Sequence, residues 1–114
     1  MSITITRADG VAGTCLQGYI TATREQLETV FGAPGYGDDG YKVFFNWAAV
    51  VTDSKGNQTL ATIYDWKFDR AVGLTEEIEW NIGGSSSDAV QAVQEALWQE
   101  LGLFARQTKA RVAR

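Results

Sequence analysis

One run, Glu79-Trp80-Asn81-Ile82-Gly83-Gly84-Ser85-Ser86-Ser87-Asp88, gathers the groups from which an anion site is built. Glycines let backbone amides turn toward a common point, serine hydroxyls donate or accept, and the start of a helix offers unpaired N–H groups with a partial positive charge. The run reads as a strand passing through Gly83, Gly84, Ser85, Ser86 and Ser87 into a helix, a setting that suits phosphate or carboxylate. A plainer account uses the same residues. Ser85 or Ser87 caps the helix, Asp88 completes a Ser-x-x-Asp start, and the glycines make the turn. If the site is real, Gly84→Val is expected to abolish binding and leave the fold largely intact.

A second group is Tyr64-Asp65-Trp66-Lys67, which offers a stacking face, an acceptor for a hydroxyl or amine, and a cation within one strand end. Tyr64 or Trp66 suits a nucleobase, and Lys67, Lys42 or Arg70 would meet its phosphates. Trp47 and Trp80 read instead as core. Trp98, Leu103 and Phe104 are too apolar for a free surface, so they either cover the core edge or form a subunit contact. Asp65 and Glu79 are the carboxylates available for an acid–base pair. Asp38 and Asp39 invite a calcium reading, but the twelve-residue loop with its closing glutamate is missing. No metal and no cofactor is expected.

Composition narrows the chemistry. The chain has 114 residues, no histidine and one cysteine, Cys15. Without histidine, the usual general base near neutral pH and the commonest transition-metal ligand are both absent. A single thiol forms no internal disulfide and no Cys-x-x-Cys pair, so Cys15 reads as a buried or half-buried thiol with no chemistry. A non-enzymatic role follows as the expectation. The net charge is -4, with Arg106, Lys109, Arg111 and Arg114 gathered at the end of the chain, so the body before them is more acidic. Such a body repels duplex nucleic acid. There is no run apolar enough to span a bilayer and no signal-peptide pattern at the start, which points to a cytoplasmic protein with no membrane partner.

The elements that must position these groups follow from periodicity. Residues 2–6 alternate as a short edge strand, and residues 17–22 form a second one or simply lead into a helix. Thr23 and Gln26 fit a capping box, predicting a helix over 24–31 with Leu27, Val30 and Phe31 on one stripe. Gly32 stops it, and Pro34 prevents its resuming. From Tyr41 to Val51 alternation puts Tyr41, Val43, Phe45, Trp47, Ala49 and Val51 on one face. Residues 53–57 make a hairpin turn, and the return strand from Gln58 to about Lys67 carries apolar weight on both faces, as a central strand does. Ile78, Trp80 and Ile82 mark a half-buried strand with an acidic outer face. A helix from about Asp88 to Leu101 follows, with Val90, Val93, Leu97 and Leu101 on its stripe, Trp98 at the margin and Gly102 at the end. The expected architecture is a two-layer α+β sandwich, an antiparallel sheet of four or five strands with both helices on one face. A small β-barrel with helices at its ends is the alternative. Residues 1–105 form the single domain, and 106–114 a basic tail that lies free or meets an acidic partner.

The segments Phe31-Gly32-x-Pro34, Tyr41-Lys42-Val43, Ala61-Thr62-Ile63-Tyr64-Asp65-Trp66-Lys67 and Trp80-x-Ile82-Gly83-Gly84 resemble a group of small proteins encoded by bacteriophages and prophages. The resemblance spans about residues 17–95, and the group's histidine is replaced here by Asn81. It implies an accessory factor that counters host immunity, by capturing a nucleotide second messenger or by binding a defence protein. Two readings result. In one, the chain sequesters a small phosphorylated ligand, such as a cyclic nucleotide or an ADP-ribose-type signal, in a pocket shared between subunits of a homodimer or higher oligomer. In the other, its acidic surface inhibits a host defence enzyme, with Asp38, Asp39, Glu76, Glu77 and Glu79 in one exposed patch.

Overall fold

The computed structural model of the chain describes residues 4–7, 15–36, 45–53, 55–65, 73–102 and 110–113. Their order is β1 (Thr4–Arg7), β2 (Cys15–Thr23), α1 (Arg24–Phe31), β3 (Gly35–Tyr36), β4 (Phe45–Thr52), β5 (Gln58–Tyr64), β6 (Glu77–Gly84), α2 (Asp88–Leu101) and β7 (Ala110–Val112). The strands form one antiparallel sheet in the order β1-β4-β5-β6-β2-β7, and β3 pairs with the start of β4. Both helices pack on one face of it. The result is a two-layer α+β sandwich, as the alternation and the two helical stripes predict. The sheet exceeds the expected four or five strands because β3 and β7, at two and three residues, are too short for a period to show.

The core fills from the alternating strands. Phe45, Trp47, Ala49 and Val51 of β4 are buried, as are Ala61 and Ile63 of β5, Trp80 and Ile82 of β6, and Ile20 and Ala22 of β2. Against them lie Leu27 of α1 and Ala89, Val90, Val93 and Leu97 of α2. Trp47 and Trp80 meet edge to face, with ring centroids 5.3 Å apart and planes at 78°. A buried indole needs an acceptor for its N–H. Trp47 Nε1 donates to the Gly32 carbonyl and Trp80 Nε1 to that of Ala22, each at 2.9 Å, so the pair ties β4 and β6 to both ends of α1.

Local signals set the connections. Thr23 Oγ1 accepts from the Gln26 amide at 3.1 Å and Gln26 Oε1 from the Thr23 amide at 2.9 Å, closing the capping box of α1. Gly32, at φ 89°, ends that helix. In the β4–β5 turn, Asp53 Oδ1 accepts from the amides of Lys55 and Asn57, and Gly56 takes a φ of 86°.

Several boundaries shift from the sequence reading. β2 runs from Cys15 rather than from Gln17, with a bulge that leaves Gln17 unpaired between Leu16 and Gly18. Cys15 is exposed rather than buried, because it lies at the strand end. β6 continues through Gly84, so both glycines belong to the strand, as the strand reading has it, and not to the turn. Within the basic tail, Ala110–Val112 forms β7 against β2. Among the described residues no helix is long and apolar enough to cross a membrane.

Candidate functional site

The glycine-serine run divides into two parts with different roles. Gly83 and Gly84 are buried strand residues, paired with β2 on one side and β5 on the other, and neither has a positive φ. They are glycines because nothing larger fits. A Cβ on Gly84 would stand 2.6 Å from the Ala89 Cβ and 3.0 Å from the Leu60 carbonyl oxygen, and one on Gly83 would collide with Thr62 Oγ1. The expectation that Gly84→Val spares the fold is therefore corrected, since the space is already held by α2 and β5.

Ser85, Ser86 and Ser87 alone make the turn, and all three are exposed. No serine side chain caps α2 in the expected manner, because Ser87 is itself in the helical region at φ -63° and ψ -14°. The first amides of the helix are nevertheless engaged. Asp88 N–H donates to Ser86 Oγ at 3.3 Å, Ala89 N–H to the Ser86 carbonyl at 3.2 Å, and Val90 N–H to the Ser87 carbonyl at 3.1 Å. An incoming anion would have to displace these bonds and face the exposed carboxylate of Asp88 in the same turn.

The second predicted group also separates. Asp65 is buried at 1% exposure, where Oδ1 accepts from the Phe45 amide at 3.1 Å while its own amide donates to the Phe45 carbonyl at 3.3 Å. It closes the end of the β4–β5 ladder. Glu79 is exposed and bonded to Arg111, so the two carboxylates do not meet as an acid–base pair. Tyr64 is half-buried and directly opposite Asn46 on one side and Asn81 on the other. Lys42, Trp66 and Lys67, with Arg70, Asp38 and Asp39, lie outside the described residues. So do Leu103 and Phe104, while Trp98 is 43% exposed on α2.

The face of the sheet away from the helices carries a row that sequence reasoning missed. Asn46, Tyr64, Asn81, Tyr19 and Arg111 are register partners across β4, β5, β6, β2 and β7. At its edge the Arg111 guanidinium donates to both carboxylate oxygens of Glu79, Nε to Oε2 and Nη2 to Oε1, each at 2.9 Å. It also lies 4.2 Å from the centre of the Tyr19 ring. These bonds hold the Glu79 carboxyl below its ordinary value and raise Arg111 further. Only the acidic outer face of β6 hinted at this clasp. Its partner sits in a three-residue strand without a readable period.

Among the described residues, grooves lie on two sides of α2. One, of about 390 Å³, runs between the helix and the β4–β5 turn, lined by Asp53, Asn57, Gln58, Asp88, Gln91 and Glu95 among others. Among the described residues three carboxylates and no cationic side chain line it. Asp53 stays ionised, since bonds from the amide and side chain of Asn57 and the Lys55 amide hold its carboxyl below the ordinary 3.8. The other, of about 260 Å³, lies between α2 and β7, lined by Ser87, Asp88, Val90, Gln91, Gln94, Ala110 and Val112. Among the described residues no group of three His, Cys, Asp or Glu side chains is placed to hold a metal ion. Comparison with protein-family models, curated proteins and solved structures finds no match to the chain.

Proposed function

We propose that the chain is a non-catalytic binding protein whose acidic groove beside α2 covers a basic segment of a partner protein. The observation that carries this reading is the lining of the groove: Asp53, Asp88 and Glu95 with Gln91, Asn57 and Gln58, and no cation among the described residues that line it. Carboxylates and amides in a shallow groove accept hydrogen bonds from Lys and Arg side chains, and a field of one sign steers a basic partner toward them. With the resemblance to phage-encoded accessory proteins, the partner would be a host defence enzyme, and covering it would inhibit it.

A second reading rests on Tyr64. On the face away from the helices its register partners on both sides, Asn46 and Asn81, are asparagines. That arrangement suits a planar, hydrogen-bonding ligand, with the ring stacking and the amides reading its edge, as for the base of a nucleotide-type signal. One experiment separates the two. An oligolysine peptide, and in parallel cyclic dinucleotides and ADP-ribose, are titrated into the protein and into the Asp88→Lys/Glu95→Lys variant, at low and high salt. The partner-protein reading expects peptide binding that weakens about tenfold or more in the variant and falls with salt, with no response to the nucleotides. Nucleotide binding that survives in the variant but is lost in Tyr64→Ala would replace it by the second reading.

A further inference from the structure

β7 is the shortest strand on the main path of the sheet and lies at its edge, yet it is seated by several independent contacts. Its Ala110 amide donates to Gln94 Oε1 on α2 at 3.0 Å, and the Ala113 amide just beyond it donates to the Gln17 carbonyl at 2.8 Å. Between them Ala110, Arg111 and Val112 pair with Ile20, Tyr19 and Gly18 of β2. The seat is shaped for a main chain. Gly18 has no side chain where a Cβ would collide with the Arg111 carbonyl and lie 2.6 Å from Val90 Cγ2. Arg111 adds the paired bonds to Glu79 and the stack on Tyr19. Small residues suit the Ala110 position, which packs against the core, while Val112 lies half exposed beside the groove on α2.

The same seat is weakly held as a whole. The Arg111–Glu79 pair has side-chain exposures of 62% and 42%, where solvent screens most of its attraction. Three residues of edge strand contribute few ladder bonds, and short edge strands readily exchange partners.

We propose that the β2 edge beneath β7 is a strand-addition site for an extended segment of a partner protein, one with a small residue, an arginine and a β-branched residue in succession. Ala110–Val112 occupies it as an intramolecular stand-in. In strand addition, main-chain bonds supply affinity and alternate side chains supply specificity. Here the specificity element is the fork of arginine on Glu79 with its plane on Tyr19, a geometry that lysine does not reproduce. This proposal uses residues apart from the hairpin groove and does not depend on it.

The test uses the full chain, its Arg111→Ala variant, and a synthetic peptide with the sequence of residues 109–114, Lys-Ala-Arg-Val-Ala-Arg. In the native protein the tethered strand competes at an effective concentration on the order of millimolar, so added peptide binds weakly. In Arg111→Ala, faster amide exchange at Ala110 and Ala113, whose amides are bonded to Gln94 and Gln17, should report a loosened β7. The peptide should then bind about tenfold tighter than to the native chain, and adding Glu79→Ala should remove the gain. Replacing the peptide's central arginine by lysine or alanine should also lose it. The proposal is overturned if β7 stays protected in the variant, if both chains bind the peptide alike, or if the alanine peptide binds as well as the native sequence. A concentration-dependent dimer in sedimentation, suppressed by excess peptide, would overturn it in favour of β7 exchange between copies.

Discussion

Gly84 and Gly18 sit on neighbouring strands, and at each the place of a side chain is taken by another part of the protein. At Gly84 the occupants are Ala89 of α2 and the Leu60 carbonyl of β5, both parts of the buried sandwich. At Gly18 the occupants are Val90 and the Arg111 carbonyl, and the latter belongs to a terminal edge strand. The difference teaches how to read a glycine that permits close approach. Such a residue marks a recognition site only where what approaches it can leave. By that standard the Gly83-Gly84 pair is packing, and the more interesting glycine is the one the sequence reading passed over as part of a short strand.

The comparison breaks most visibly under enlargement of the two glycines. Gly84→Val puts a branched side chain against the Leu60 backbone and a buried alanine, which cannot yield without moving β5 and α2 respectively. Overpacking of this kind costs on the order of 3 kcal/mol, so urea unfolding should show a midpoint shifted far down or a chain that no longer folds. Near-native stability would mean that α2 does not rest on β6 as described. Gly18→Val should cost less, about 1–2 kcal/mol, because the Arg111 carbonyl can leave with β7 and only the Val90 side-chain methyl then has to give. Its signature is local: amide protection lost at Ala110 and Ala113, the amides bonded to Gln94 and Gln17, and kept at Ile63 and Trp80. If protection falls equally throughout, β7 is as much a part of the core as α2.

The distinction also explains which parts of the molecule were legible in the sequence. The capping box at Thr23 and Gln26, the stop at Gly32, the alternation through Phe45, Trp47, Ala49 and Val51, and the stripe of Val90, Val93 and Leu97 each repeat a local rule over enough residues to be read. Both helices therefore fall where they are predicted, and the two tryptophans expected in the core are there. The glycine-serine run misleads because glycine is ambiguous by itself. A turn and a tight packing contact both demand a missing Cβ, and only the neighbour in space, Thr62 of β5 or Ala89 of α2, decides between them. Asp65 misleads in the same way: beside aromatics it suggests a ligand acceptor, whereas the end of β5 uses it to bond the Phe45 amide. The Arg111 clasp was beyond reach because its partners, Tyr19 of β2 and Glu79 of β6, are distant from it in sequence.

The smallest effect sought is the pH dependence of that clasp, and it bears on whether β7 is held by charge or by its ladder. Glu79 has its carboxyl held below the ordinary 4.5, first by the hydrogen bonds from Arg111 and then by its charge. With the strand docked the group is the stronger acid; with it undocked it returns toward 4.5. Docking is thus favoured fully above that ordinary value, and the favour is lost as the pH falls through the lower, docked value. Arg111 remains cationic throughout, so it does not alter the sign. The amide signals of Ala110 and Val112 should move toward undocked positions in acid, while those of Ile63 and Trp80 stay fixed. Asp53 gives an internal control, since its carboxyl is also lowered but by the amides of its own turn. Its titration should appear at Lys55 and Asn57 and leave Val112 alone. In Glu79→Gln the acid transition at Val112 should vanish and the strand should sit in a pH-independent, partly docked state. An unchanged transition there would mean that the main-chain bonds to Gln94 and Gln17 hold β7, and that arginine is not what the edge of β2 recognises.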